Sequence, residues 1–354
     1  MRSAAAWVVG LSILMVGCGG PAAFSPPAIT SVQPSNSGTP NSVVSFGTFE
    51  FVSVQGTGQI FTYNIGSGFQ APVGAPYATP CADPSGMVVT TIAGANVMAV
   101  PCYDTNSLLT LTVNANGSLN ALGSVGGLAM PFPGIALDGT NLFVPLFGGT
   151  SANGGIAKVS LASPANPTIE GMVTLASPVA GGIANAEYLA VANGYVYVTA
   201  GSESNPQGSS STVQVISEGT MTLVGSPLTV PHSPQQIAVQ GNVAYVTLYD
   251  ATELESIDIS NPAALVSLQN VSLTAGSQSC HPEPVTVEGG IAYVGCFAEG
   301  AIARLDIANP SQMQPMAAIA GLSSPQRLAL AGSSLLVTGG SPGGQIYAID
   351  LNQF

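Results

Sequence analysis

The chain is sparing with reactive side chains, so the few it has narrow the chemistry. Only 6% of its 354 residues are charged, and its two histidines are His232 and His281. His232, Gln235, His281 and Glu283 fall in two similar stretches, and Asp83, Glu187 and Arg327 stand at comparable places elsewhere. Imidazoles and carboxylates in one set suit a divalent cation, or a general acid and base acting on a substrate. The plainer alternative is a set of polar loop residues that cap strand ends. Tyr103-Asp104 and Tyr249-Asp250 form a second recurring pattern, read first as turn-stabilising aspartates. No nucleophile constellation accompanies them: the one Gly-x-Ser-x-Gly string, within GGSPGG (339–344), falls between two β-prone segments and reads as a hairpin turn, and there is no His-Glu-x-x-His and no phosphate-cradling loop.

Four cysteines beyond the leader, Cys81, Cys102, Cys280 and Cys296, offer two further chemistries. Their thiolates could enclose one tetrahedral metal, or they could form two disulfides in any of three pairings. Spacing alone does not choose between these, and the elements carrying the cysteines must decide.

Those elements repeat. A valine closes a β-prone segment at Val52, Val100, Val144, Val198, Val246, Val294 and Val337, with successive spacings of 48, 44, 54, 48, 48 and 43 residues. Such a period suits one four-stranded antiparallel blade, so the chain is expected to be an all-β, seven-bladed β-propeller. A third strand with alternating apolar residues follows each anchor, as in IFTYNI (60–65), TVQVI (212–216) and LESIDI (254–259). Alternation at period two marks half-buried strands, and no segment shows a long helical period. The first strand of each blade starts nine residues before its anchor, at Val43, Ile135, Leu189, Ile237, Val285 and Leu328. Blade two departs from this with MVVTTIAGA (87–95), where an inserted longer turn or bulge is expected. Blade seven ends after its third strand, while AITSV (28–32) is unused by blade one. Residues 28–34 are therefore expected to supply the outer strand of blade seven and close the ring, since an open ring leaves unpaired edge groups.

The register returns an answer on the cysteines. Cys81 and Cys280 stand just before a first strand, and Cys102 and Cys296 stand two residues after an anchor valine. First and second strands are antiparallel, so the start of one adjoins the end of the other. This predicts Cys81–Cys102 and Cys280–Cys296 disulfides, and it sets blades two and six too far apart to share a metal shell. The same register gathers Asp83, Glu187, His232, Gln235, His281, Glu283 and Arg327 on the loops entering first strands, around one mouth of the central channel. Propellers commonly place binding or catalysis on such loops.

The stretch NVAYVTLYDATELESIDISNPAALV (242–266) resembles the LVIVD-type repeat, and GIAYVGCFAEGAIARLDIANP (290–310) repeats its Asp-Ile-x-Asn-Pro ending. GYVYVT (194–199) followed by STVQVIS (211–217) is similar to the related YVTN-type repeat. The resemblance implies a propeller scaffold and brings no universal catalytic residue. Trp7 is the one tryptophan and lies in the leader, which sets aside WD repeats, sialidase-type Asp boxes and quinone-dehydrogenase blades.

At the N-terminus a basic residue and an apolar run from Ala4 to Val16 read as a secretory signal, too short to span a bilayer. Met15-Val16-Gly17-Cys18 resembles the bacterial lipobox, which implies a signal peptide over 1–17 and a lipidated Cys18. Residues 18–27 then form a flexible tether to a propeller over 28–354. Gly19 favours, by resemblance to lipoprotein sorting signals, the outer membrane where the envelope is diderm. Beyond the leader, Lys158, Arg304 and Arg327 face 17 acids, which argues against nucleic acid. The expectation is an exported, membrane-anchored monomer that binds a protein or small molecule without catalysis and touches the bilayer through acylated Cys18. The alternative is a lactonase-like hydrolase holding a divalent cation in the central funnel.

Overall fold

The structure is a computed structural model that describes residues 29–353, apart from 35–37, 66–70, 149–151, 178–182, 202–210, 232 and 341–343. Cys18 and the leader therefore lie outside the described residues, as does His232. Seven four-stranded antiparallel sheets follow one another along the chain. The inner strand of blade seven packs beside that of blade one, so the circle is complete.

Burial explains why the second strand carries the clearest sequence signal. All seven anchor valines are fully buried, because second strands are covered on both faces by neighbouring blades, where β-branched side chains pack well. Outer strands have one covered face, and Thr168–Thr174 alternates exposed and half-buried residues along its whole length. The Asp-Ile-x-Asn-Pro endings work as paired Asx turns. Asp258 and Asp306 accept hydrogen bonds from the backbone N–H of Ser260 and Ala308 at 2.8 and 2.9 Å, and Asn261 and Asn309 repeat this one turn later. Those bonds hold the Asp258 carboxyl below its ordinary value.

Blade two corrects one expectation. Its first strand, Val88–Ile92, pairs with the second without interruption from Val88↔Ala99 to Ile92↔Ala95. The turn between them is the two-residue Ala93-Gly94, with φ of 49° and 81°, the same left-handed type as Asn193-Gly194 in blade four. The extra residues thus lengthen both strands by one pleat repeat instead of enlarging the turn or forming a bulge.

Ring closure runs as the unused N-terminal segment implied. Ile29–Val32 pairs antiparallel with Ile346–Asp350, from Ile29↔Ile349 to Val32↔Ile346. Its two apolar residues face opposite ways: Val32 packs in the cluster holding Val43 and Val52 of blade one, and Ile29 in that holding Tyr293 and Ile302 of blade six. A small hairpin, Thr274–Ala275 with Gln278–Ser279, stands between blades five and six and was not anticipated.

Candidate functional site at the channel mouth

At or just ahead of the start of every inner strand, or one residue into it, stands a residue paired with the position two past the anchor valine. These pairs are Pro40↔Val54, Pro84↔Cys102, Pro131↔Leu146, Ala186↔Ala200, Pro234↔Leu248, Pro282↔Cys296 and Pro325↔Gly339. Six of the seven are proline, which lacks an N–H to offer a ladder and suits a strand start. Directly afterwards the pairing slips in blades one, four, five, six and seven. The slipped residues are Asn41, Glu187-Tyr188, Gln235-Gln236, Glu283-Pro284 and Gln326. A bulge bends its strand and re-aims the side chain, so one irregularity repeated around the ring gathers polar groups at the channel.

A threonine clips the bulge in two blades. Thr199 Oγ1 accepts from Tyr188 N at 3.1 Å and donates to the Gln235 carbonyl of the next blade at 2.6 Å. Thr247 Oγ1 accepts from Gln236 N at 2.9 Å and donates to the Glu283 carbonyl at 2.7 Å. This gives the Thr of each Tyr-Val-Thr string a physical role: it satisfies backbone groups that the slipped ladder leaves over.

Across the mouth, Arg327 of blade seven sits over the ring of Tyr188 of blade four, 5.0 Å from guanidinium carbon to centroid. Burial pushes the Tyr188 hydroxyl up to about 12, with Arg327 opposing and Glu283 and Glu187 adding to the rise. Burial also raises the Glu283 carboxyl to about 7, again against the pull of Arg327. Phe132 meets Tyr188 edge-on at 6.1 Å, and Gly134 is required beside it, since an added Cβ would lie 2.5 Å from the ring.

Next to this stack lies a cavity of about 210 Å³, lined by Asn41, Gln55, Asp83, Ser85, Tyr103, Phe132, Pro133 and Arg327. Asp83 Oδ2 accepts from Gln55 Nε2 at 3.0 Å, whereas Asp83 Oδ1 and Arg327 Nε are buried without a hydrogen-bond partner. Burial, reinforced by Asp104, holds the Asp83 carboxyl above its ordinary value despite the Gln55 bond.

On blades five and six the corresponding groups are consumed internally. Ser233 Oγ donates to Asp250. Glu299 accepts from His281 N at 2.9 Å and lies 2.7 Å from His281 Nδ1, and the imidazole packs 5.3 Å from the Tyr249 ring. Gln236 accepts from Val285 N at 3.1 Å and so ties blade five to blade six. Asp104 serves blade two in the same manner, accepting from the N–H of Ala82 and Asp83 at 3.0 and 3.3 Å. The recurring Tyr-Asp pairs thus hold the entering loop to the neighbouring turn.

The cysteines pair Cys81–Cys102 and Cys280–Cys296, with Cα separations of 5.9 and 4.9 Å. Among the described residues, Cys280, Cys296 and Glu299 group closely enough to hold a metal ion, but two sulfurs bonded to each other offer no thiolate. Around Tyr188, the fixed charge of Arg327 beside Glu283 opposes a divalent cation. Two other perturbed carboxyls lie at the opposite face. Glu50, bonded by Ser45 Oγ at 2.8 Å, is raised by burial to about 8. Glu218 is raised to about 7 by burial and by its neighbour Asp138.

The structure brings Glu187, Glu283 and Arg327 together around Tyr188, puts Asp83 and Arg327 on one cavity, sets Gln235 in the blade-five bulge, and ties His281 to the rim. Tyr188, Gln236, Asn41 and Phe132 are the mouth residues that sequence reasoning passed over. Their signal was present: SPQQI (233–237), HPEPV (281–285) and SPQRL (324–328) each put a proline twelve residues before the anchor, as does Pro40.

The LVIVD repeat model matches residues 233–272 and 282–318, the lengths of blades five and six. No curated protein matches the chain by sequence. Among solved structures the chain is similar to virginiamycin B lyase from Staphylococcus aureus, at 12% identity over 92% of this chain and 99% of that one, TM-score 0.66. It is similar to BamB from Moraxella catarrhalis, at 9% identity over 91% and 98%, TM-score 0.56. It also resembles a candidate 6-phosphogluconolactonase from Bacteroides fragilis, at 11% identity over 90% and 89%, TM-score 0.61. These likenesses establish the fold: the chain is a seven-bladed β-propeller containing LVIVD repeats.

Proposed function

We propose that this protein is an exported, lipid-anchored propeller whose channel mouth binds a small polar ligand without transforming it. The observation that carries the reading is the pair of buried, unpartnered atoms, Asp83 Oδ1 and Arg327 Nε, on residues lining one cavity. Buried polar groups are ordinarily satisfied, and leaving one unmade costs about 1–3 kcal/mol. A ligand that supplies both partners recovers that cost.

The topology supports an orientation on the membrane. Ile29 pairs with Ile349, next to the turn where Leu351 N donates to Ser333 O, so the chain enters the propeller on the face of the first hairpins. The mouth is at the opposite face, toward Pro325 and Gly339. An acylated Cys18, eleven residues before Ile29, would thus attach from the face opposite the mouth.

A thermal-shift screen of a chemically diverse library on the full-length protein tests the binding reading. Compounds that stabilise the protein, and lose that effect in Arg327→Gln, support it. A library with no such compound rejects it.

One observation favours a second reading, a lactonase-like hydrolase. Glu283 has a carboxyl near neutrality, the range suited to a general base. Lactone hydrolysis with and without added divalent cation, abolished in Glu283→Gln, would establish it. Turnover that is absent, or unchanged in that variant, would remove it.

A further inference from the structure

Resting on the binding reading above, we propose that the cavity takes a free α-amino acid as its zwitterion. The carboxylate lies against Arg327, the ammonium against Asp83, and an apolar side chain against Tyr103 and Phe132. The argument begins with charge. Asp83 and Arg327 line the same cavity, yet they do not form an ion pair with each other, as Lys158–Glu170 and His281–Glu299 do. Each also keeps a buried atom without a partner. Two opposite charges held apart across a small gap of low dielectric favour a guest whose dipole runs the other way.

Other ligand classes fit less well. A simple anion meets Arg327 but also Asp83, with Asp104 close behind. A simple cation meets Asp83 but also Arg327. A neutral sugar compensates neither charge. Size narrows the choice further, because about 210 Å³ is below the roughly 300–1,000 Å³ usual for drug-sized ligands and suits a seated group of amino-acid size. One side of the wall is aromatic and braced: Tyr103 packs 6.5 Å from Phe132, which stacks on Phe147 at 5.3 Å. Both unpartnered atoms are shut off from solvent, so the guest reaches them as the Asp83 and Arg327 side chains rotate into the cavity.

Calorimetric titration of the full-length protein in detergent decides the matter with three probes of one shape: L-leucine, isopentylamine and 4-methylpentanoate. The expected result is that L-leucine binds at least tenfold more tightly than either half-molecule. Asp83→Asn and Arg327→Gln should each weaken it at least tenfold, and Asp250→Asn should leave it unchanged. Equal binding of a half-molecule overturns the proposal on the unmodified protein, whether or not a variant folds. If no apolar L-amino acid binds, while library compounds bind and are lost in Arg327→Gln, the amino-acid assignment fails and the binding reading stands. If nothing binds, both fail.

Discussion

Blades five and six and the arc from blade seven through blade three use the same loop positions for different ends. On blades five and six the entering loop is locked to the adjacent turn: Ser233 donates to Asp250, and His281 pairs with Glu299. On the other arc, Asp83 and Arg327 occupy comparable places and each retains an unpartnered atom beside a cavity. The LVIVD model matches the first region and not the second. A repeat stays close to its pattern where its polar groups are needed to hold the scaffold. Where the pattern decays, side chains are released for other work. The best-repeated blades thus tie up their rim groups, and each histidine stands one residue ahead of a matched span.

The largest effect that separates the two regions should come from their disulfides. Removing either one by paired Cys→Ser replacement releases a loop of 16 or 21 residues, and in the chain-entropy model costs about 3 kcal/mol in denaturant unfolding. The costs should be similar, but the consequences for binding should differ. Loss of Cys81–Cys102 frees the loop that carries Asp83 and should weaken ligand binding. Loss of Cys280–Cys296 should leave the affinity as it was. Equal losses of affinity would break the comparison.

The next effect concerns pH. Glu283 has a folded value of about 7 against an ordinary 4.5. Its raised value means that the folded state holds the proton more tightly than the unfolded chain. The associated stability is fully present below about pH 4.5 and is lost as pH rises through 7. Glu283→Gln cannot ionise and should flatten this part of the profile, gaining on the order of 2 kcal/mol over wild type between pH 5 and pH 8. Thermal melts at the two pH values measure it, and a constant difference between the proteins would contradict it.

A smaller loss is expected at the satisfied rim. Glu299→Ala removes the acceptor for His281 N and the partner of its imidazole. Its cost should be about 1–2 kcal/mol, the usual range for a hydrogen bond to a charged group that is partly solvent-screened. Ligand affinity should not change, because the pair is complete without a ligand. A drop in affinity on denaturant-matched samples would place this rim within the binding site.

These contrasts also mark how far the sequence could be read. Blade count, ring closure by Ile29–Val32 and both disulfides were legible because each follows from one period and the antiparallel order of strands. Those features are set by burial, and burial leaves a regular apolar pattern. The mouth was legible only in part. Glu187, Gln235 and Glu283 could be placed on the right loops, since they keep a fixed offset from the anchor. Tyr188 was missed because an aromatic residue at a strand start looks like core, and its stacking on Arg327 joins blades four and seven, far apart in the chain. His281 invited a catalytic reading because nothing in spacing shows that Glu299, eighteen residues later, already occupies it. Blade two misled in a different way: two residues added to each strand lengthen the interval as an enlarged turn would.

The smallest predicted effect bears most closely on the division between scaffold and site, because it compares two aspartates in one blade. Asp104 accepts from two backbone N–H groups, so Asp104→Ala should cost about 1 kcal/mol or more. The Asp83 side chain accepts from Gln55, an interaction that asparagine can retain, and its carboxyl is disfavoured by burial and by Asp104. Asp83→Asn should therefore change stability by less than about 0.5 kcal/mol at neutral pH, toward greater stability. The sign follows from the raised carboxyl: above its unfolded value, ionisation of Asp83 works against the fold, and the amide removes that burden. A neutral substitution that abolishes binding would identify a residue kept for its ligand. A loss matching that of Asp104→Ala would make both aspartates part of the scaffold and dissolve the distinction between the two arcs.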